Sequence, residues 1–382
     1  MADHALTIHF VHSGPTPHNN YLLDALASMP GITLHRHYLF GPTHIPGRPW
    51  KGMKAGDVQT ERIRTSVGAR FDSTLLRLAL LDRKSVFFVI GWDFPALVWF
   101  LLIVGLRGRP LIMWDDGPSE ESLAAIDRRW DIRQIIKRRL IRVINRSPGT
   151  YFHTGNVTRE PILGLGIHPD KLENLPFFVT PGTRSPELRS QHGATDDVCL
   201  FVAGGRLMPE KGYDLYVEAL GLMKQRGIQG WKAVLIGSGA EQDRLHAMAA
   251  RLDLADSLDF VPWAEPELFA NYVHSCDVFV APARFDHFPT TVIAAMQAGT
   301  AVVATDGVGS AVEFINSPSN GLVVKAGDAT ALAQSLESLV ADPHRRRDMG
   351  MAAHETMAQW PVERGAKAIA DAAMKAQQAC AA

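Results

Sequence analysis

The sequence predicts an α/β protein made of two doubly wound, Rossmann-like domains, and three observations lead there. At 382 residues the chain exceeds what one hydrophobic core usually supports. Short apolar runs of strand length alternate with helical patterns in both halves, the signature of parallel sheets covered on both faces. Between the halves, Val179 to Asp197 (VTPGTRSPELRSQHGATDD) is polar, rich in Pro and Gly and aperiodic, as a linker is. The expected layout is a first domain over 1–180, a linker over 181–197 and a second domain over 198–357. A final helix in 358–382 is expected to cross back onto the first domain.

Ala5 to Val11 is a short apolar strand, and the loop Ser13 to Asn20 then feeds a helix through Met29, half of a βαβ unit. Ile32 to Phe40 is the next strand, with histidines that suggest one wet face. Gly41 to Asp57 has no period and is read as a loop, mobile or in contact with substrate. Ser85 to Ile90 is a buried strand by its continuous apolar run, and Pro95 opens the helix behind it. The window Val86 to Val104 is interrupted by Gly91, Asp93 and Pro95, so it is not a spanning helix, which needs ~20 mostly apolar residues. Leu111 to Trp114, Gly149 to His153 and Leu172 to Pro176 complete the first set of strands.

Between them, residues 128–146 (RRWDIRQIIKRRLIRVINR) place Trp130, Ile132, Ile135, Ile136, Leu140, Val143 and Ile144 at helical spacing. Arg128, Arg129, Arg133, Lys137, Arg138, Arg139, Arg142 and Arg146 form most of the polar surface. A solvated crossover helix would look like this, and so would one adsorbed electrostatically to anionic lipid. The second reading is the one adopted, without deep insertion, because the apolar face must pack on the sheet.

The second half alternates again. Strands are expected at Cys199–Val202, Ala233–Ile236, Leu258–Val261, Val278–Ala281 and Ala301–Thr305. Helices fall at Tyr213–Arg226, Glu241–Leu252, Pro266–His274 and Thr290–Ala298, and the chain closes with helical segments at 329–340, 343–357 and 362–376.

Composition is that of an ordinary globular protein, 46% apolar and 21% charged, which excludes disorder as the main state. The net charge of −1 hides an imbalance: residues 1–190 hold 24 Lys and Arg against 17 Asp and Glu, leaving 15 against 23 in the remainder. A basic first half suits an anionic partner. Cys199, Cys276 and Cys380 are scattered, with no CxxC, so they read as thiols in a reducing compartment rather than a disulfide framework or zinc site. MADHALTIHF lacks the pattern of a signal peptide, and a cytosolic location is expected.

The stretch richest in chemistry is Phe201 to Asp214, FVAGGRLMPEKGYD. It sets glycines, Arg206 and Lys211 in the turn between a strand and an amphipathic helix. Glycine lets the backbone approach a diphosphate closely, and each cation attracts an opposed unit charge ~4 Å away by about 4 kcal/mol at an effective dielectric near 20. A solvated loop is the competing reading from these residues alone.

Four stretches then fall in order: GGRLMPEKG (204–212), LIGSGAEQDRL (235–245), residues 260–305 with their FDHFPTT loop, and VEFINSPSNGLVV (312–324). Together they resemble the retaining, nucleotide-sugar-dependent glycosyltransferases of family 4, which have the GT-B fold: two Rossmann-like α/β/α domains facing each other across a cleft. The resemblance covers about residues 200–365. It implies that Arg206 and Lys211, beside Gly205, hold the donor diphosphate, that Gly237 and Gly239 form the turn near the nucleotide, and that Val261 and Pro262 contact the base. It further implies that Asp286, His287, Phe288, Pro289, Thr290 and Thr291 surround the donor, with helix N–H groups on the diphosphate. Gly14 would line the pocket from the first domain. The donor would be a UDP- or GDP-sugar, and no metal or other cofactor is expected.

One departure stands out. The family carries a glutamate, seven residues and a second glutamate; here the positions are Asp286 and Ala294. Asp286 keeps a carboxylate on a shorter stem, and Ala294 keeps nothing polar for the ribose. On the acceptor side, WDDGPSEE (114–121) offers Asp115 or Asp116, of which Asp116 is preferred, and Asp93 is a second candidate. His12, His18 and His153 fall at strand ends or loops and read best as structural.

The function these residues imply is transfer of a sugar, with retention, from a nucleotide diphosphate to a hydroxyl. The basic half and its helix point to a lipid-linked acceptor of a polysaccharide pathway, with the protein peripheral at the inner face of the cell membrane. The alternative is a catalytically silent GT-B module that binds a nucleotide or sugar for a partner, motivated by Ala294. GSGAEQ lacks the third glycine of a dinucleotide fingerprint, no GKS or GKT is present, and the basic helix lacks the interleaved aromatics of a nucleic-acid surface.

Overall fold

The computed structural model describes residues 6–40, 61–63, 72–92, 94–117 and 132–381. They divide into two compact units, the first made of Met1–Phe178 with Val362–Ala382 and the second of Val179–Pro361.

The first unit holds a parallel sheet in the order β3-β2-β1-β4-β5-β6-β7. Its strands are β1 (Leu6–His12), β2 (Ile32–Tyr38), β3 (Glu61–Ile63), β4 (Val86–Ile90), β5 (Leu111–Asp115), β6 (Tyr151–His153) and β7 (Leu172–Asn174). β1 and β4 form from unbroken apolar runs because both faces of the sheet are covered, and Ile8, Phe10, Phe87 and Phe88 are fully buried. Helix α1 (Pro17–Ala27) starts where Thr16 accepts the Asn19 N–H and Pro17 presets the first turn. It shares one face of the sheet with the C-terminal helix. The opposite face carries α2 (Ser73–Leu81), α3 (Pro95–Leu106) and α4 (Ile132–Arg146), packed with α3 between the other two.

The histidines of β2, expected on a wet face, are only half-buried there: His35 and His37 lie on the side opposite the buried Leu34, Arg36 and Tyr38. His9 on β1 pairs in register with His35, stacks on it at 4.9 Å, and bonds through Nδ1 to His37 and through Nε2 to Asp82, both at 3.0 Å. In α4, Leu140, Ile141 and Ile144 are buried while Ile135 and Ile136 are exposed, so among its described side chains the apolar face packs along the later turns. The expected loop over 41–57 and the candidate Asp93 lie outside the described residues, as do 118–131.

In the second unit the order is β10-β9-β8-β11-β12-β13, again parallel. The strands are β8 (Cys199–Arg206), β9 (Trp231–Ser238), β10 (Leu258–Val261), β11 (Val278–Ala281), β12 (Ala301–Thr305) and β13 (Leu322–Val324). In chain order the helices are α5 (Arg159–Gly164), which belongs to the first unit, then α6 (Pro186–Gln191), α7 (Tyr213–Gln225) and α8 (Gln242–Arg251). They continue with α9 (Pro266–Ser275), α10 (Thr290–Gln297), α11 (Gly309–Phe314), α12 (Ala329–Ala341) and α13 (Pro343–Ala358). Helix α14 (Val362–Ala381) belongs to the first unit, where its buried Ala366, Ile369, Ala370 and Ala373 pack beside α1.

Residues 181–197 differ from the expected linker. They carry α6 and belong to the second unit, because Arg189 is 5% exposed and spends its guanidinium inside it. Nη1 donates to Asp277 Oδ2 at 2.8 Å and to the Ser275 carbonyl, while Nη2 donates to the carbonyls of Thr195 and Val198. Polar composition misled here: a buried cation with four acceptors is a structural device, not a solvated spacer.

Candidate functional site

The chain reverses direction across the second sheet between β8 and β11, the central pair. In an open parallel sheet the loops leaving such a switch point diverge and leave a crevice beyond the strand ends. Arg206 ends β8, Lys211 follows in a short 3-10 turn (Pro209–Lys211), and Asp286 lies in the loop after β11. The fold therefore gathers residues that the sequence separates widely.

Lys211 and Asp286 meet directly. Lys211 Nζ donates to Asp286 Oδ2 at 2.6 Å, with both side chains largely buried. The Asp286 backbone is fixed as well: its N–H donates to the Gly307 carbonyl at 2.8 Å and its carbonyl accepts the Gly309 N–H at 2.9 Å. Arg206 differs. Its side chain is exposed, and among the described residues it makes no ion pair or side-chain hydrogen bond.

Two glycines explain how the backbone gets this close. Gly212 sits at φ +65°, where a Cβ would fall 2.1 Å from the Pro282 carbonyl oxygen, so only glycine lets the turn carrying Lys211 pass against the end of β11. Gly237, at φ +145° and opposite Gly205 in the β8–β9 register, would put a Cβ 1.9 Å from the Gly205 carbonyl oxygen. Its identity is thus accounted for by strand packing.

Four residues around this pair escaped the sequence reading: Arg284, Asp214, Arg244 and Tyr213. Arg284 grips Asp214 in a bidentate pair, at 2.7 and 2.8 Å, and donates to the Pro209 carbonyl at 3.1 Å. The backbone N–H groups of Arg284 and Phe285 both donate to the Glu210 carbonyl. The loop bearing Lys211 and the loop bearing Asp286 are therefore laced together immediately beside their ion pair. Arg244 on α8 extends the network, bonding Asp214 at 3.3 Å and Glu241. Burial alone would raise the Asp214 carboxyl; hydrogen bonding and charge from Arg284, with Arg244 beside it, outweigh that and hold it below its ordinary value. Tyr213 is the fourth. A Cβ on Gly205 would lie 2.9 Å from its hydroxyl, which places the phenol against the start of the glycine turn. Burial pushes its pKa up, the Asp286 carboxylate adds to that and Arg206 opposes it. The signal for Tyr213 and Asp214 was their place in EKGYD; Arg284 gave none, since its partner lies 70 residues away.

Helix α10 begins at this edge with Pro289 at its N-cap and no side chain capping its first N–H groups, so Thr290 and Thr291 are its first residues rather than its caps. Ser310 Oγ holds the Pro289 carbonyl at 2.9 Å. His287 is half-buried, its ring edge-on to Phe285 at 4.6 Å. The Phe288 ring is buried against Phe314. Val261 ends β10 half-buried and Pro262 is exposed beside it. Ala294 is buried one turn into α10.

The remaining predicted residues belong to the first unit. Gly14 follows β1 and is buried, its carbonyl accepting from His12 Nδ1 at 2.6 Å. Asp116 follows β5 and is exposed, while its neighbour Asp115 is engaged by the Gly117 N–H at 2.8 Å and the Tyr151 hydroxyl at 3.2 Å.

Residues 184–356 match the family model described as Glycosyl transferases group 1. The chain is 29% identical over 161 residues to a lipopolysaccharide core biosynthesis glycosyltransferase, LpsE, of Rhizobium meliloti, covering 42% of this chain and 45% of that one. It is 26% identical over 341 residues to a D-inositol 3-phosphate glycosyltransferase of Stackebrandtia nassauensis, covering 84% and 72%. Among solved structures, Anabaena Alr3699/HepE in complex with UDP superimposes with a TM-score of 0.69 at 17% identity, over 96% of this chain and 99% of that one. At that identity the likeness concerns the fold. The chain thus has the GT-B fold, and its second unit carries a glycosyltransferase group 1 domain.

Proposed function

We propose that the protein is a retaining glycosyltransferase that moves a sugar from a UDP- or GDP-sugar to a hydroxyl of a lipid-linked acceptor of a polysaccharide pathway. The observation that carries the reading is the meeting of Lys211 and Asp286 beside Arg206, at the switch point of a group 1 domain. Arg206 and Lys211 bind the diphosphate and stabilise charge growing on the leaving phosphate; the uncapped N-terminus of α10, with Thr290 and Thr291, adds N–H donors. Asp286 accepts hydrogen bonds from hydroxyls of the donor sugar while keeping Lys211 oriented. In a retaining transfer the leaving phosphate and the acceptor oxygen meet on one face of the sugar, and the phosphate helps take the acceptor proton. The protein then supplies position and charge rather than a strong nucleophile. Gly205, Gly237, Val261, Pro262, His287, Phe288 and Pro289 complete the donor's surroundings, with Gly14 and Asp116 assigned to the first domain's contribution. No metal takes part in this scheme. The relatives that bear lipopolysaccharide and inositol phosphate names, and the acid-free basic helix α4, favour an acceptor at the anionic inner face of the cell membrane.

A panel of UDP- and GDP-sugars scored by thermal stabilisation identifies the donor, because a ligand selective for the folded state raises stability as RT ln(1+[L]/Kd). Turnover with that donor, unaffected by EDTA and lost in Arg206→Ala and Lys211→Ala, supports the scheme; near-normal turnover in both variants sinks it. Ala294 favours a second reading, the silent binding module, and donor binding with neither transfer nor slow hydrolysis would select it.

A further inference from the structure

Helix α3, PALVWFLLIVGL, contains no charged residue, yet it is not enclosed. Ala96, Leu97, Phe100, Leu101 and Val104 face the sheet and are buried, while Pro95, Trp99 and Leu106 stand on the other side, with Trp99 53% and Leu106 76% exposed. Their spacing of four and seven residues places them along one ridge of a helix about 18 Å long, twelve residues at 1.5 Å each. A helix that is apolar all round is ordinarily buried on every side. Beside it, Leu80 and Leu81 at the end of α2 are 43% and 76% exposed, tied to the α3 end by Arg109, whose Nη2 donates to the Leu80 carbonyl at 3.3 Å.

The flanks decide what covers the ridge. Helices α2, α3 and α4 contain no acidic residue, whereas Arg77 on α2 and Arg138, Arg139, Arg142 and Arg146 on α4 are exposed. Arg83, Lys84 and Arg107 are exposed where α2 and α3 end. A second copy docking ridge to ridge would bring these cations together, and the three helices themselves supply no acidic residue to offset them. An anionic lipid surface meets both requirements at once: acyl chains for the ridge and phosphates for its margins.

We propose that the α2–α3–α4 face docks side-on to an anionic bilayer, with Trp99, Leu106 and Leu81 inserted shallowly between lipids and the arginines of α2 and α4 on the headgroups. The anchor is then on α3, and α4 supplies charge to it. This extends the proposed lipid-linked acceptor by naming the surface that meets the membrane; the test needs no turnover, so either can fail without the other.

The experiment is cosedimentation of the full chain with phosphatidylglycerol-containing vesicles and with pure phosphatidylcholine vesicles, at low and high salt. Binding should require the anionic lipid and should weaken at high salt without vanishing, because insertion is not screened. Trp99→Ser combined with Leu106→Glu should reduce binding by about tenfold or more, as burial of apolar side chains is lost, while leaving the thermal midpoint within a few degrees. In case that variant folds poorly, Trp99→Phe provides a second measurement: the wild type should show a fluorescence blue shift on vesicle addition that Trp99→Phe largely lacks. Equal binding by the double variant, or complete release of the wild type by salt, overturns the insertion. A concentration-dependent dimer in light scattering that the double variant abolishes would assign the ridge to a second copy instead and likewise overturn it.

Discussion

Lys211 and Asp286 stand 75 residues apart in the chain and 2.6 Å apart in space. The cation proposed for the donor phosphate is therefore already engaged by the carboxylate proposed for the donor sugar. A bound diphosphate has to share Lys211 with Asp286, and this makes the two contacts separable by binding measurements. Lys211→Ala and Arg206→Ala should each lower turnover by about 10²–10³-fold, the usual cost of removing a charge stabiliser from a transition state. Asp286→Ala should weaken binding of the nucleotide sugar while leaving the bare nucleotide diphosphate bound as tightly or more tightly, since Lys211 is released. Calorimetric titration of both ligands on one variant checks this; equal weakening of both would remove Asp286 from the sugar.

Arg284 acts at one remove. Its bidentate grip on Asp214 and its bond to the Pro209 carbonyl hold the turn of Lys211 against the loop of Asp286. Arg284 itself is exposed, solvent screens the pair, and Arg244 stays bonded to Asp214, so the pair contributes only ~0–1 kcal/mol and Arg284→Met should shift the melting temperature little. Its effect should instead appear in the donor KM, raised by about tenfold as the two loops lose their register. A variant that melts many degrees lower with an unchanged KM would make Arg284 merely structural.

Arg189 should behave in the opposite way. Its guanidinium is buried with Asp277 and three carbonyls, and removing it leaves that carboxylate without its ion-pair partner. Arg189→Met should destabilise the second unit by about 3 kcal/mol or more, within the range for breaking a buried pair. Urea unfolding followed by a second-unit probe measures it, and a loss well under 1 kcal/mol would return residues 181–197 to the role of a spacer.

His9 makes the first unit sensitive to acid. Burial lowers its pKa below the ordinary 6.5, stacked His35 adds to the lowering, and Asp82 opposes it. The folded unit then binds fewer protons than the unfolded chain. The stability this contributes is complete above about pH 6.5 and is lost as pH falls through the lower folded value. The melting temperature should therefore fall between pH 7.5 and 5, and His9→Gln should flatten that dependence over the same window. Parallel curves for the two proteins would exclude His9 as the source.

Much of this architecture was legible in the chain. Continuous apolar runs such as SVFFVI and the alternation of strands with helices fix two parallel sheets, because such runs are stable only when covered on both faces. The glycine-rich turn after β8 was legible too, through Gly205 and Gly212, since close backbone approach demands glycine whatever lies around it. Elements of marginal pattern were not. Strand β3, only three residues long, and the helices α2 and α6 carry little periodicity of their own and depend on what they pack against.

What the sequence determined by itself is local: which segments form strands and helices, where the backbone must be glycine, and which motif places cations at a strand end. These follow from sterics and from hydrophobic period, both properties of adjacent residues. The tertiary structure alone decided the pairings and the exposures. Nothing in a linear reading shows that Lys211 faces Asp286, that Arg284 locks their loops, that Arg189 is buried, or that the apolar ridge of α3 lies open between α2 and the basic α4. Each depends on which elements become neighbours when the sheets close, and strands far apart in the chain become neighbours only through the order of their sheet.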